Sequence, residues 1–99
     1  MIRECTQHIG VLLISLFFPA SQSLKHKRMI LKSLKDRIHI KFNVSVAELD
    51  HQDKWQLATL GVATIGSDHR YMEQSLQSIL SFLEKEPEVE ISDHQITFL

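Results

Sequence analysis

Four basic residues recur at helical spacing near the start of a segment that runs from residue 24 to residue 42. They are separated by 3, 4 and 3 positions, and they are Lys25, Arg28, Lys32 and Lys35. On a helix such steps place side chains on one face, about 4.5–6 Å apart along the axis at a rise of about 1.5 Å per residue. A row of cations of this kind can meet successive phosphates of a nucleic acid, with an affinity that depends strongly on salt. The same spacing is typical of a solvated helix face, and both interpretations stay open.

Charge is distributed unevenly along the 99 residues, although the net charge is only −1. The segment Leu24–Phe42 holds seven basic residues and a single acid, Asp36. The segment Asp68–Leu99 holds seven acids and only two basic residues, Arg70 and Lys85. This polarity is compatible with an anionic partner on the basic side, and equally with head-to-tail contact between copies of the chain.

A second cluster of chemically capable side chains lies in the stretch "ELDHQDKWQ", residues 48–56. Carboxylates and one imidazole follow each other closely at Asp50, His51 and Asp53, so any enzyme hypothesis would rest on these three residues. The stretch lacks the Gly-centred pattern of a calcium loop, and strand alternation would send neighbouring side chains to opposite faces. We therefore interpret it as a polar strand end and turn, anchored by Trp55.

The remaining candidates for chemistry are weak. The single cysteine, Cys5, cannot form an internal disulfide, and the six histidines are scattered without the spacing of a metal site. Gly61 and Gly66 do not form a phosphate-binding loop, because neither a GxGxxG nor a Walker pattern surrounds them. We expect no catalytic residue, no metal ion and no cofactor.

The element that would lie at the centre of the fold is the apolar stretch Ile9–Phe18, which ends at Pro19. It is too short to span a bilayer, which takes roughly 20 residues. It could be read as a secretory leader, but we expect a central strand, because a sheet built from the rest of the chain would lack one. Both of its faces are apolar. We predict that helices cover one face, and that the other forms an oligomer interface through Leu12, Ile14 and Leu16.

An amphipathic helix follows this strand, with Ser23 as its predicted N-cap. Lys27 falls within the apolar sector of this helix. We expect its stem to pack and its ammonium to remain free. The predicted nucleic-acid-binding set is therefore Lys25, Lys27, Arg28, Lys32 and Lys35.

Alternating or β-branched stretches predict three further strands, "NVSVAEL", "LATLGVATIG" and "EVEISDHQITFL", the last bent near Ser92–Asp93. A second helix, capped by Ser67 or Asp68, precedes Pro87. The order βαββαβ predicts a ferredoxin-like α+β sandwich, in which two helices cover one face of a four-stranded antiparallel sheet. We assign residues 9–99 to this single domain and residues 1–8 to a short N-terminal extension.

Several segments resemble one family. They are "SLK" and "KR" at the start of the helix, "FNVSVAE" (Phe42–Glu48), the connection with Asp50, Gln52, Asp53 and Trp55, and "LGVA" (Leu60–Ala63). In this combination the chain resembles the YlxP-like family of small bacterial proteins of unknown function, from about Ile9 to the C-terminus. The resemblance implies a ferredoxin-like fold and no established catalytic residue. The family's genes often lie beside translation-initiation and ribosome-maturation genes, which implies ribosome-related work.

The sequence thus predicts a small, non-enzymatic cytoplasmic domain and a homo-oligomer, associated with RNA or ribosomal particles through its basic helix. Base stacking on the sheet is disfavoured, because "LATLGVATIG" contains no aromatic residue. The alternative is a homo-oligomeric interaction or regulatory module without nucleic-acid binding.

Overall fold

In the computed structural model of this protein, which describes residues 4–99, six elements follow one another in the order βαββαβ. Their bounds are β1 His8–Phe17, α1 Leu24–Lys41, β2 Ser45–Asp50, β3 Leu57–Gly66, α2 His69–Glu84 and β4 Glu90–Phe98. The four strands form one antiparallel sheet in the order β2-β3-β1-β4. The predicted ferredoxin-like architecture is confirmed.

The apolar stretch near the N-terminus is a central strand, as predicted. β1 pairs with β3 on one side and with β4 on the other, so its backbone is hydrogen-bonded along both edges. The pairing with β4 places Ser15 opposite Asp93 and Leu16 opposite Ile91, so Ser92 is an extra residue in β4. This irregularity lies where the sequence predicts a bend in the last strand. No helix among residues 4–99 is long and apolar enough to cross a membrane.

Both helices begin at side-chain caps. The hydroxyl of Ser23 accepts a hydrogen bond from the His26 backbone N–H (3.0 Å), and the carboxylate of Asp68 accepts one from the Tyr71 N–H (3.1 Å). Such caps satisfy backbone donors that have no partner within the helix. α2 lies against β1, β3 and β4, whereas α1 approaches β2.

The prediction that Leu12, Ile14 and Leu16 form an oligomer interface is wrong. These three side chains are at most 1% exposed and belong to the core beneath the helices. One reason lies at Gly10 on the same face, where an added Cβ would stand 3.1 Å from Leu76 and from Phe98. The absence of a side chain at Gly10 leaves room for Leu76 and Phe98 to pack against the sheet. The helices therefore pack on this face of β1.

The face of the sheet without helices is the opposite one. β1 contributes to it the other half of its apolar residues, Ile9, Val11, Leu13 and Phe17. Of the predicted extension, residues 1–8, the first three lie outside the described residues. At its other end His8 already pairs with Gly66, so the strand begins one residue earlier than expected.

Candidate nucleic-acid interface

Four of the five predicted nucleic-acid-binding residues lie along one side of α1. Lys25, Arg28 and Lys32 are exposed, and Lys35 is half-buried. We call Lys25, Arg28, Lys32 and Lys35 the basic line. At about 1.5 Å per residue it is about 15 Å long. On a helical projection its centre lies roughly 120° from the centre of the buried stripe.

The basic line has few acidic neighbours. Lys32 forms an ion pair with Asp36 one turn later (2.9 Å), in which both side chains are more than half exposed. Within residues 4–99, no ion pair involves Lys25, Arg28 or Lys35. An exposed pair of this kind contributes little stability and exchanges readily with another partner. The line therefore presents several cations that a polyanion could contact.

The basic residues on the other flank of α1 contact α2 and the residues that follow it. The guanidinium of Arg37 forms an ion pair with Glu86 and lies 5.3 Å from the ring centre of Phe82. The ammonium of Lys41 is also 5.3 Å from that ring centre. Cation–π contacts of this kind help to hold the two helices together. The cations of α1 thus divide into a flank that packs on α2 and a flank that faces solvent.

Lys27, the fifth predicted residue, is completely buried, and the prediction that its ammonium is free is wrong. The ammonium donates three hydrogen bonds, to Glu48 Oε2 (3.0 Å), the His51 carbonyl (2.7 Å) and the Leu57 carbonyl (2.9 Å). These three bonds use all the donors of a lysine. Lys27 therefore fastens the first turn of α1 to the connection between β2 and β3, and its ammonium is not accessible to RNA.

Glu48 is the residue that the sequence analysis missed in this arrangement. Its side chain is 17% exposed and accepts from Lys27. A signal for the pair exists in the sequence, because Glu48 continues the alternation of Val44 and Val46 toward the core. Two opposite charges at inward-facing positions of different elements indicate a buried pair.

The connection between β2 and β3 has the contacts of a tight turn. His51 has a positive φ of 63°, a conformation that non-glycine residues rarely adopt. Its backbone N–H donates to Asp50 Oδ1 (2.8 Å), and its carbonyl accepts from the Lys54 N–H (3.0 Å) as well as from Lys27. Asp53 is exposed. The contacts give His51 a structural role, and the prediction that the protein is not an enzyme stays a prediction.

The charges at the start of α1 are unfavourable for the helix dipole. The N-terminus of a helix carries partial positive charge, so acids are favoured in the first turn and cations are not. The first turn of α1 contains no acid, although Lys25 and Lys27 lie there and Arg28 follows directly. Burial and its three oxygen partners account for Lys27. The helix dipole does not favour Lys25, and neither Lys25 nor Arg28 forms an ion pair in the described part of the chain.

Other groups considered for chemistry remain apart. Among the described residues, no group of three or more His, Cys, Asp or Glu side chains is arranged to hold a metal ion. Cys5 is exposed, and its thiol lies 3.6 Å from the side-chain oxygen of Gln7.

Comparisons with known proteins agree with the resemblance drawn from the residues. The sequence profile of a family described as "Protein of unknown function (DUF503)" matches residues 9–96. An uncharacterized protein of Bacillus subtilis (strain 168), YlxP, is 43% identical over 68 residues, which make up 69% of this chain and 74% of that protein. Among solved structures, the de novo designed protein Foldit4 superposes with a TM-score of 0.51 at 16% identity, covering 92% of this chain and 96% of the design. The likeness to the design shows the fold alone.

Proposed function

Because this chain belongs to the DUF503 family, whose function is unknown, we propose a function from its own surface. It acts as a non-enzymatic cytoplasmic protein that associates with ribosomal particles by binding RNA through the basic line. The ribosomal setting is what the family resemblance implies, and the basic line is the feature of this molecule that supports it.

One observation carries the proposal: the cations at the start of α1 are exposed and form no ion pair within residues 4–99, at the end of the helix where the dipole disfavours a cation. Lys25 lies in the first turn of the helix, and Arg28 follows at the start of the next turn. A phosphate backbone would supply the missing negative charge, and the helix N-terminus would favour the same anion. The benefit of these cations then lies in binding.

The geometry suits recognition of a backbone rather than of bases. The line is straight, about 15 Å long at the rise of a helix, and contains only lysine and arginine. Such contacts position a protein on nucleic acid and carry no direct sequence information. We therefore expect binding to structured RNA that depends strongly on salt and weakly on sequence.

The test is co-sedimentation with ribosomal particles at low salt. In the four-site variant, Lys25, Arg28, Lys32 and Lys35 are all changed to Glu. In the matched variant, the same change is made at four exposed basic residues outside the line, Lys41, Lys54, Arg70 and Lys85. Because Lys41 contacts Phe82, circular dichroism first verifies that both variants are folded. Both variants change the net charge equally. The four-site variant should stay in the supernatant, while the matched variant and the unchanged protein should sediment.

Two results would contradict the proposal. One is sedimentation of the four-site variant to the same extent as the unchanged protein. The other is equal loss in both variants, which would mean that net charge alone matters. Binding to protein-free ribosomal RNA separates contact with RNA from contact with ribosomal proteins.

A second candidate is a homo-oligomeric interaction module that does not bind nucleic acid. It is favoured by the apolar face of the sheet that carries no helices. In that case none of the three proteins sediments with ribosomal particles.

A further inference from the structure

The face of the sheet opposite the helices, which we call the open face, exposes large apolar side chains on three neighbouring strands. They include Ile9 and Leu13 of β1, Leu57 and Ile65 of β3, and Leu49 of β2. Their exposed fractions run from 36% for Leu13 to 69% for Ile65. An apolar patch of this extent on a small protein marks an interaction site.

The centre of the open face is uncharged. The two central strands place only apolar, glycine, serine and threonine residues on it, at the odd-numbered positions 9–17 of β1 and 57–65 of β3. At Gly61, an added Cβ would lie 2.6 Å from Leu49 Cδ1, so the Leu49 side chain packs directly over the glycine backbone. The centre of the open face is therefore apolar.

Among the described residues, the acids of this face lie toward its edges. The register places Asp50 opposite Thr59 at the end of β2, and Glu90 and Asp93 opposite the β1 residues Phe17 and Ser15. An apolar centre with a polar rim is the usual anatomy of a protein–protein interface. An acidic rim repels phosphates, so it disfavours RNA and anionic lipid as occupants.

We propose that the open face is a self-association surface, on which two copies of the chain pack sheet against sheet about a two-fold axis. An uncharged apolar centre is complementary to itself, because bringing two copies together buries no like charges at the middle of the contact. Two twisted antiparallel sheets pack naturally in this way, about 10 Å apart and inclined by about 30°. The helices then form the outer layers.

The area available matches what a stable dimer needs. β1 and β3 have ten residues each, β4 has nine and β2 has six. At about 3.3 Å per residue and about 4.8 Å between strands, the footprint is about 550 Å² per copy, or about 1,100 Å² in total. This is just above the roughly 1,000 Å² that a specific interface should bury. The basic line lies on α1, on the opposite side of the sheet, so self-association leaves it accessible.

The test is the mass of the full chain in solution, measured by light scattering at micromolar concentration. The expected mass is twice the 11.5 kDa of the single chain. Ile65→Lys and Leu13→Lys each place an ammonium on the open face, and both should yield monomers. The expected increase in the dimer dissociation constant is at least about 100-fold, or about 2.8 kcal/mol at about 1.4 kcal/mol per factor of ten.

Ile40→Lys is the matched control, because Ile40 is an 84% exposed apolar residue of α1. It should leave the dimer intact. The strong exposure of Ile65 lets Ile65→Lys fold normally, which circular dichroism verifies. Two results would overturn the proposal: a monomeric unchanged protein, or a dimer that survives both open-face substitutions.

The salt dependence separates this dimer from head-to-tail contact between the basic and acidic parts of the chain. An apolar interface should persist in molar sodium chloride, whereas contact between opposite charges should weaken. A dimer that dissociates in high salt would therefore overturn the proposal. RNA binding is tested by substitutions on α1, so either proposal can fail without the other.

Discussion

Lys25 and Lys27 lie in the same turn of α1 but have opposite surroundings. Lys27 is completely buried, and its ammonium donates to three oxygen atoms from the β2 strand, the connection after it and the start of β3. Lys25 is exposed, and no ion pair involves it among the described residues. A run of basic residues in a sequence can therefore combine a structural cation with a binding surface. Substitutions can separate the two roles.

The largest effect is expected from removing the buried ammonium. Lys27→Met keeps most of the stem but leaves Glu48 and two carbonyls without their donor. Breaking a buried ion pair at one partner costs about 3–5 kcal/mol, and we expect the low end because Glu48 retains some exposure. Urea unfolding followed by circular dichroism measures the difference. The control Lys25→Met should change the free energy of unfolding by less than about 0.5 kcal/mol, and equal effects would refute the contrast.

A smaller loss is expected from neutralising the partner carboxylate. Glu48→Gln keeps an acceptor oxygen near Lys27 but removes the negative charge, and the two carbonyl bonds remain. Since hydrogen bonds to charged groups contribute about 1.5–3 kcal/mol, we expect a loss of about 1–2 kcal/mol in the same unfolding experiment. Glu88→Gln, at an exposed acid, is the control. The interpretation of Glu48 is wrong if the two variants unfold alike.

The smallest effect has the opposite sign. Lys25→Glu places an acid in the first turn of α1, where it interacts favourably with the helix dipole. The protein should gain about 0.3–1 kcal/mol of stability and lose affinity for RNA. Lys32→Glu is the comparison, because it should weaken RNA binding without a gain in stability. The new carboxylate at position 32 would lie one turn from the carboxylate of Asp36, and like charges at this spacing repel. A Lys25→Glu variant that is destabilised, or that binds RNA as well as before, would contradict the assigned role of Lys25 as a binding residue that the helix dipole disfavours.

Most of the fold could be predicted from the sequence, because the local patterns agree with one another. The strand "LATLGVATIG" has the bounds of β3, and Asp68 caps α2 as one of two predicted caps. The order of elements then leaves few arrangements of the sheet. Local periodicity and turn chemistry therefore account for the architecture.

The sequence could not show which face of β1 meets the helices. Its two faces are almost equally apolar, so alternation separates the faces without assigning them. The assignment depends on contacts between distant parts of the chain, such as those of Gly10 with Leu76 and Phe98. For the same reason, alternation alone led to the wrong face for Leu12, Ile14 and Leu16.

The surroundings of Lys27 also could not be predicted from the pattern of helix α1 alone. A lysine at the edge of an apolar stripe usually extends its ammonium to water. Here Glu48 and the carbonyls of His51 and Leu57 come from other elements, and only the folded chain brings them together. The basic line needed no such contact, so the sequence placed its members correctly on the exposed side of α1.

The most direct test of the basic line is the salt dependence of binding to a duplex RNA, measured by fluorescence anisotropy. The logarithm of the binding constant should fall linearly with the logarithm of the salt concentration. At about 0.7–0.9 per phosphate contact, four contacts predict a slope of about −3. The matched variant should keep this slope, and the four-site variant should show no measurable binding at low salt. Absence of binding by the unchanged protein, or equal behaviour of the two variants, would contradict the account.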